Sequence, residues 1–322
     1  MIPGIYDISD EAYNADPCEE VSLRASLARI LVSPGGTPRH AWWSTPRLNP
    51  QFAPENNRKF DLGKAVHKLV LGRGAEFVEI DGDDYSTNEK DGLKAGEKRA
   101  LRDDAWDAGK IPLLRPEVRQ ANAMALAARN QFGELIRAGT IEHHPFFDGA
   151  TEKTLIWRDA KTGVLCRARL DGLPDDHEAI NEFKTTNASA DPALWQWRQM
   201  RPLGFAFSLA FYRRGLEALG LAFSPSFRFF VQETEPPYCL SFIRVDDELI
   251  AMEDQRVTQA LRIWRGCREK DEWPSYSAEG YDIGLSERER TKEAVAEPQA
   301  EHLASEDAAR DLNPTNLFPR RK

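Results

Sequence analysis

The chain has 322 residues, a formal net charge of −9, 41% hydrophobic residues and 10% aromatic residues. That length is one large domain or two small ones, with enough apolar side chains for a substantial core. The negative balance excludes a protein that coats nucleic acid by bulk charge, but not one with a local basic groove.

No run of about 18 apolar residues occurs, so no transmembrane helix is expected. The opening M-I-P-G-I-Y-D-I-S-D lacks the basic and apolar regions of a secretory signal. Cys18, Cys166, Cys239 and Cys267 are dispersed, with no C-x-x-C pair. Free thiols in a reducing cytoplasm are therefore expected, rather than a disulfide framework or a zinc site.

Residues 1–20 are polar and acidic, and the reading makes them a peripheral segment. Helical spacing predicts a first helix over Ser22 to Val32 behind a serine N-cap. A second runs from Asp61 to Leu71, stopped by Gly72, with His67 at the flank of its apolar stripe, one turn after Gly63. A glycine there lets another element approach closely. Glu76 to Asp84 reads as a short strand or extended loop, and charged helical sequence follows from Glu89 to Gly109. Pro116 opens a helix that reaches about Ala138. Five strands are then expected, over 153–158, 164–171, 177–185, 227–233 and 238–245. Between the third and fourth, residues 191–219 form two helices divided near Pro202 and Gly204, and Asp246 to Cys267 is the last long helix. This gives one domain over 21–285, helical over 21–150 and sheet-bearing over 151–285, followed by a disordered acidic tail over 286–322.

The stretch Val164 to Thr186 carries the chemistry. It reads as strand, turn and strand, with Pro174-Asp175-Asp176 at the turn. Side chains alternate along a strand, so Glu182 and Lys184 share a face. A turn centred on Asp175-Asp176 places Asp171 opposite Ile180 and one diagonal, roughly 7–8 Å, from Glu182. Two carboxylates that close can share a divalent cation, which would polarise a phosphodiester and acidify a bound water. Lys184 beside them would steady the developing negative charge. An ordinary exposed hairpin with charges on its wet face satisfies the same spacing.

The flanking motifs distinguish the two readings. In order they are Tyr13-Asn-Ala-Asp-Pro, Gly63-Lys-Ala-Val-His67, Gly109-Lys-Ile-Pro-Leu-Leu, Cys166-Arg-Ala-Arg-Leu-Asp171, Glu182-Phe-Lys-Thr-Thr186, Phe211-Tyr212-Arg-Arg-Gly and Glu272-Trp-Pro274. Over about residues 13–280 this set resembles the exodeoxyribonuclease VIII (RecE-type) family of phage recombination nucleases, within the PD-(D/E)xK superfamily. The resemblance implies an α/β fold with a restriction-endonuclease-like core: a central mixed sheet of about five strands flanked by helices, behind a helical N-terminal portion. It implies His67, Asp171, Glu182 and the Phe183 carbonyl as metal ligands, Mg²⁺ (or Mn²⁺) as cofactor, and Lys184 as the catalytic lysine. Arg167, Arg169, Ser208 and Tyr212 become DNA-contact candidates, with Arg167 and Arg169 either beside the scissile phosphate or packed under the site. One departure stands out, since Ser208 occupies the position where the family carries a glutamine that reaches the active site.

The resulting expectation is a metal-dependent DNA exonuclease acting on duplex ends, 5′ to 3′, in phage or prophage recombination. A trimeric or tetrameric ring is expected from the resemblance, with a single-strand annealing recombinase as partner through the C-terminal tail. The alternative, motivated by Ser208, is a catalytically impaired DNA-end-binding or scaffold protein on the same fold.

Overall fold

A computed structural model describes residues 1–53, 56–90, 92–146, 150–174, 179–221 and 226–276, with Gly284, Glu287 and Arg290 beyond them. The expected hairpin turn at Asp175-Asp176 and almost all of the expected tail over 286–322 lie outside the described residues. The chain divides into two compact units, Met1–Ser275 and Tyr276–Lys322. The first carries every element below.

The N-terminal part runs β1 (Gly4–Tyr6), α1 (Asp10–Asn14), β2 (Leu23–Arg24), α2 (Ala25–Ile30), α3 (Pro38–Trp43), α4 (Asp61–Leu71), β3 (Phe77–Ile80), α5 (Ala95–Asp107), β4 (Ile111–Leu114) and α6 (Arg115–Arg137). Then come β5 (Ala150–Arg158), β6 (Leu165–Leu173), β7 (Ala179–Thr186), α7 (Pro192–Trp195), a wide π turn over Gln196–Met200, α8 (Arg201–Leu203), α9 (Phe205–Ala218), β8 (Ser226–Glu233), β9 (Leu240–Val245) and α10 (Asp247–Lys270).

The main sheet has seven strands in the order β1-β5-β6-β7-β8-β9, with β2 paired to β6. The pairs β7–β8 and β2–β6 are parallel, and the others are antiparallel. β3 and β4 form a separate parallel pair. The β7–β8 crossover passes through α7, α8 and α9, as parallel neighbours require a long connection. Two apolar clusters cover the sheet. One joins Leu27, Trp157, Phe207, Phe211, Leu261 and Trp264 from α2, α9 and α10. The other joins Val66, Val70, Met124, Phe132, Phe183 and Phe230 from α4, α6 and the strands.

The five predicted strands are present within a few residues of their expected ends. β1, β2 and β4 were not expected as strands; β1 and β2 raise the main sheet from about five strands to seven, and β4 pairs with β3 apart from it. The predicted first helix begins later than Ser22, because Ser22 is held from outside: its amide and hydroxyl donate to Asp16 at 2.9 and 2.8 Å.

Residues 1–20 are not peripheral. Their acids complement basic side chains on β5 and β6. Asp7 pairs with Lys153 and Arg73, Asp10 with Arg169, Asp16 with Arg167, and Glu19 and Glu20 with Arg158. The acidic composition therefore serves docking rather than solvation.

Asp61, in the first turn of α4, is buried, and only one of its carboxylate oxygens has a partner, the Trp106 indole N–H at 3.3 Å. Burial pushes its pKa up to about 6, opposed by the Lys64 charge and the Trp106 hydrogen bond. An acid whose folded pKa lies above its unfolded value costs nothing at low pH, and costs stability as pH rises past both. Asp61→Asn keeps an acceptor for Trp106. It should raise Tm by about 2–4 °C at pH 7.5, with the gain shrinking toward zero near pH 4 in parallel thermal melts.

Candidate active site

β6 pairs with β7 only at Gly172↔Asn181. β5 takes one edge of β6, and β2 takes the rest of the other edge at Leu23↔Cys166 and Arg24↔Arg167. β7 therefore leaves β6 immediately after meeting it, and the two strands fork. The pair Gly172↔Asn181 extends to Asp171 opposite Glu182. The register is thus shifted by two residues from the expected one, which had Asp171 opposite Ile180. The expected register assumed a turn centre, and the turn residues alone do not specify it.

The fork has a local cause. Asp171 Oδ2 accepts from the Phe183 amide at 2.9 Å, and Glu182 Oε1 accepts from the Asp171 amide at 3.4 Å. Side-chain oxygens thus occupy positions that ladder carbonyls would otherwise take, which satisfies the buried amides. Phe183 turns into the α4/α6 core. Alternation sends Glu182 and Lys184 the other way, where the Lys184 ammonium lies 6.0 Å from the Phe205 ring.

Lys184 Nζ donates to Glu182 Oε2 at 2.7 Å and to Asp171 Oδ2 at 3.0 Å. From α4, His67 Nε2 lies 3.2 Å from Asp171 Oδ1. The structure thus brings together Asp171, Glu182, Lys184 and His67, although α4 is distant in sequence. Gly63 permits this. A Cβ there would stand 2.9 Å from Thr185 Oγ1 on β7.

The charges are strongly coupled. Burial alone would raise the pKa of Asp171, but the Lys184 and His67 charges drive it well below the usual carboxylate range. Glu182 moves the other way, raised first by burial and then by the Asp171 charge. Burial opposes protonation of His67, yet the Asp171 charge and its hydrogen bonds to Asp171 and Glu152 push it up to about 9. Lys184 is likewise held above its ordinary value by Asp171 and Glu182 against the effect of burial. It is an ammonium at any working pH.

The other expected contacts divide. Arg167 is 1% exposed. It donates to Ser22 Oγ and the Ser22 and Tyr13 carbonyls and pairs with Asp16, so it packs beneath the site and is not a DNA contact. Arg169 is mostly buried and pairs with Asp10 and Glu152. Tyr212 borders the site, its phenol pushed up by burial and then by the Glu182 charge. Ser208 Oγ turns back to the Gly204 carbonyl at 3.4 Å, and none of its hydrogen bonds among the described residues goes to the carboxylates. For Phe183, the engaged group is its amide.

Glu152 was missed. Thr151 faces Gly172 and Lys153 faces Leu170, so Glu152 lies opposite Asp171. Its signal was the β5–β6 turn around Thr162-Gly163, whose register could have been extended to residue 152.

Among the described residues no three His, Cys, Asp or Glu side chains already converge at metal-binding spacing. Lys184 Nζ stands between the two facing carboxylates. The donor chemistry nevertheless fits a hard divalent cation, since Asp171 and Glu182 offer oxygens from facing strands and His67 directs a ring nitrogen at Asp171.

Comparison with known proteins agrees with the fold. Residues 44–283 match the family described as a PDDEXK-like domain of unknown function. No curated protein matches the chain by sequence. A crystal structure from Eubacterium rectale, named “Putative exonuclease”, aligns with a TM-score of 0.50 at 12% identity, covering 87% of this chain and 97% of that one. At that identity the likeness speaks to fold alone.

Three substitutions test the assembly. Gly63→Ala should displace α4 from β7 and reduce activity several-fold. Adding Thr185→Ala, which removes the clashing oxygen, should restore most of it, as a double-mutant cycle of rates would show. Arg167→Ala should lower unfolding free energy by roughly 3–5 kcal/mol, because it removes a buried charge partner from Asp16 and leaves it only the Ser22 hydrogen bonds and Arg47 at 3.9 Å. Urea melts check this, and a variant as stable as wild type would contradict the buried role.

Proposed function

The chain belongs to the PDDEXK-like domain family, and from that premise we propose that it is a metal-dependent deoxyribonuclease. The observation that carries this is the fork: Asp171 and Glu182 face each other on diverging strands, with Lys184 bonded to both and His67 on Asp171. The likeness in fold to a protein named as an exonuclease supports the same class.

Asp171, Glu182 and His67 would hold the cation. When bound, it would polarise a scissile phosphate and lower the pKa of a water. The protein groups have separable tasks. Asp171, kept ionised by Lys184 and His67, supplies a permanent negative donor. Lys184 cannot serve as a general base, because two carboxylates hold its proton. Its ammonium instead offers charge and hydrogen bonds to the anion that develops during attack. Phe205 and Tyr212 border that space.

In finer terms, the reading is an exonuclease degrading duplex ends 5′ to 3′ in phage recombination, with Mg²⁺ as the ion. These details rest on the resemblance to RecE-type enzymes. So do a ring of three or four copies and a single-strand annealing partner for the tail. Among the described residues no helix is long and apolar enough to cross a membrane.

The second reading, a DNA-end-binding protein with impaired catalysis, is favoured by one observation: Ser208 bonds its own helix and not the site. One assay separates the two. Linear duplexes labelled at the 5′ or 3′ end are incubated with Mg²⁺ or Mn²⁺ beside a closed circle. The linear DNA should shorten while the circle persists, and excess chelator should stop the reaction. Lys184→Ala should slow it by roughly 100- to 1,000-fold or more while circular dichroism stays unchanged. End binding without cleavage in either metal supports the second reading, and undiminished cleavage in chelator removes the metal mechanism.

A further inference from the structure

Glu152 is unusual in three respects. It is 5% exposed. Its φ of 52° lies in the left-handed region, near the start of β5 and opposite Asp171. A non-glycine residue persists there only when its surroundings hold it. Both of its carboxylate oxygens are engaged: Oε1 lies 3.4 Å from His67 Nδ1, and Oε2 accepts from Arg169 Nη2 at 2.6 Å. Arg169 in turn donates through Nη1 to Asp10 Oδ1 at 2.6 Å, on α1. A continuous chain therefore runs Asp10, Arg169, Glu152, His67, Asp171.

An imidazole has two nitrogens, and a hydrogen bond at one decides what the other can do. Nδ1 is turned toward Glu152 and Nε2 toward Asp171. A ring without the Glu152 contact would be held at Nε2 alone, by Asp171, with nothing fixing Nδ1.

We propose that Glu152 is a positioning residue for His67: it holds Nδ1 so that Nε2 is the nitrogen presented to the cation, while Arg169, anchored by Asp10, fixes the Glu152 carboxylate. This rests on the reading that the Asp171–Glu182 fork binds a divalent cation. Glu152 acts through the ring and not as a ligand, because it meets the site at His67 Nδ1, the nitrogen on the far side of the ring from Asp171. The first residues of the chain thereby become part of the support of the site.

The test is Mn²⁺ titration, by calorimetry and by electron paramagnetic resonance, of the full-length wild type, Glu152→Gln and Glu152→Ala, with ¹⁵N spectra of the His67 ring. Glu152→Ala should weaken Mn²⁺ binding about 10- to 100-fold. Glu152→Gln keeps an oxygen for Nδ1 and should recover most of that loss. KM for DNA should change little while the metal requirement rises. In metal-free protein the His67 ring signals should shift in Glu152→Ala and stay close to wild type in Glu152→Gln.

Unchanged Mn²⁺ affinity in Glu152→Ala overturns the proposal. So does a Glu152→Gln variant as weak as Glu152→Ala, which would make Glu152 a ligand through its charge. If wild type binds no Mn²⁺, the reading of function fails on its own account, and the ring spectra still decide the positioning role: unchanged His67 signals in Glu152→Ala refute it. If Glu152→Ala does not fold, the Gln variant carries the same comparison.

Discussion

Two carboxylates face one another where β6 and β7 separate, and both are almost fully buried. Left alone, such a pair would be driven to share a proton, because burial and mutual repulsion both disfavour the ions. Lys184 prevents this for Asp171 by lying between them, and His67 adds a second positive group. The constraint reaches well beyond the pair. β7 must leave β6 so that side-chain oxygens can reach the Phe183 and Asp171 amides. α4 must lie close to β7 for His67 to arrive, which requires a residue without a side chain at Gly63.

The fork leaves much of one edge of β6 without its expected neighbour. β2 fills that edge, and this explains why the first residues are folded onto the sheet. Arg167 is the pin of that arrangement. It is enclosed by Asp16, Ser22 and the Tyr13 carbonyl, so its charge is compensated entirely within the protein. Isolated surface ion pairs contribute little, but this one is dry and multiply bonded, and loss of one partner leaves an uncompensated charge. Support and chemistry thus meet on a single strand. Arg167 faces the N-terminal segment at Asp16, Arg169 links that segment through Asp10 to Glu152, and Asp171 enters the site.

The two apolar clusters give the charged cluster a rigid setting. Trp157 packs edge-on against Phe211 at 5.0 Å, with Gly215 allowing α9 to sit on that ring. On the other face Phe132, Phe146 and Phe230 form a set of tilted and edge contacts that reaches Phe183. Glu182 and Lys184 therefore flank a residue fixed in one core while they point toward the other side of the sheet. A site on packed strands holds its geometry better than one on a loop.

The order of strands and helices was legible in the sequence because it depends on local periodicity, and so were Asp171, Glu182 and Lys184, which lie on one hairpin. His67 was legible through its motif and its spacing from Gly63. The hairpin register was not, since a shift by two keeps every side chain on its face and leaves the apolar pattern unchanged. The place of Arg167 and Arg169 was not legible either. An R-x-R strand reads as a phosphate contact until its partners are known, and those partners, Asp10, Asp16 and Ser22, lie in a segment whose acidity suggested solvent. Glu152 escaped for the same reason: its meaning comes from Asp171 across the ladder and His67 above it. Local sequence determined which residues could do chemistry, and long-range charge compensation, which exists only once the chain has closed on itself, decided which of them face the site and which hold it in place.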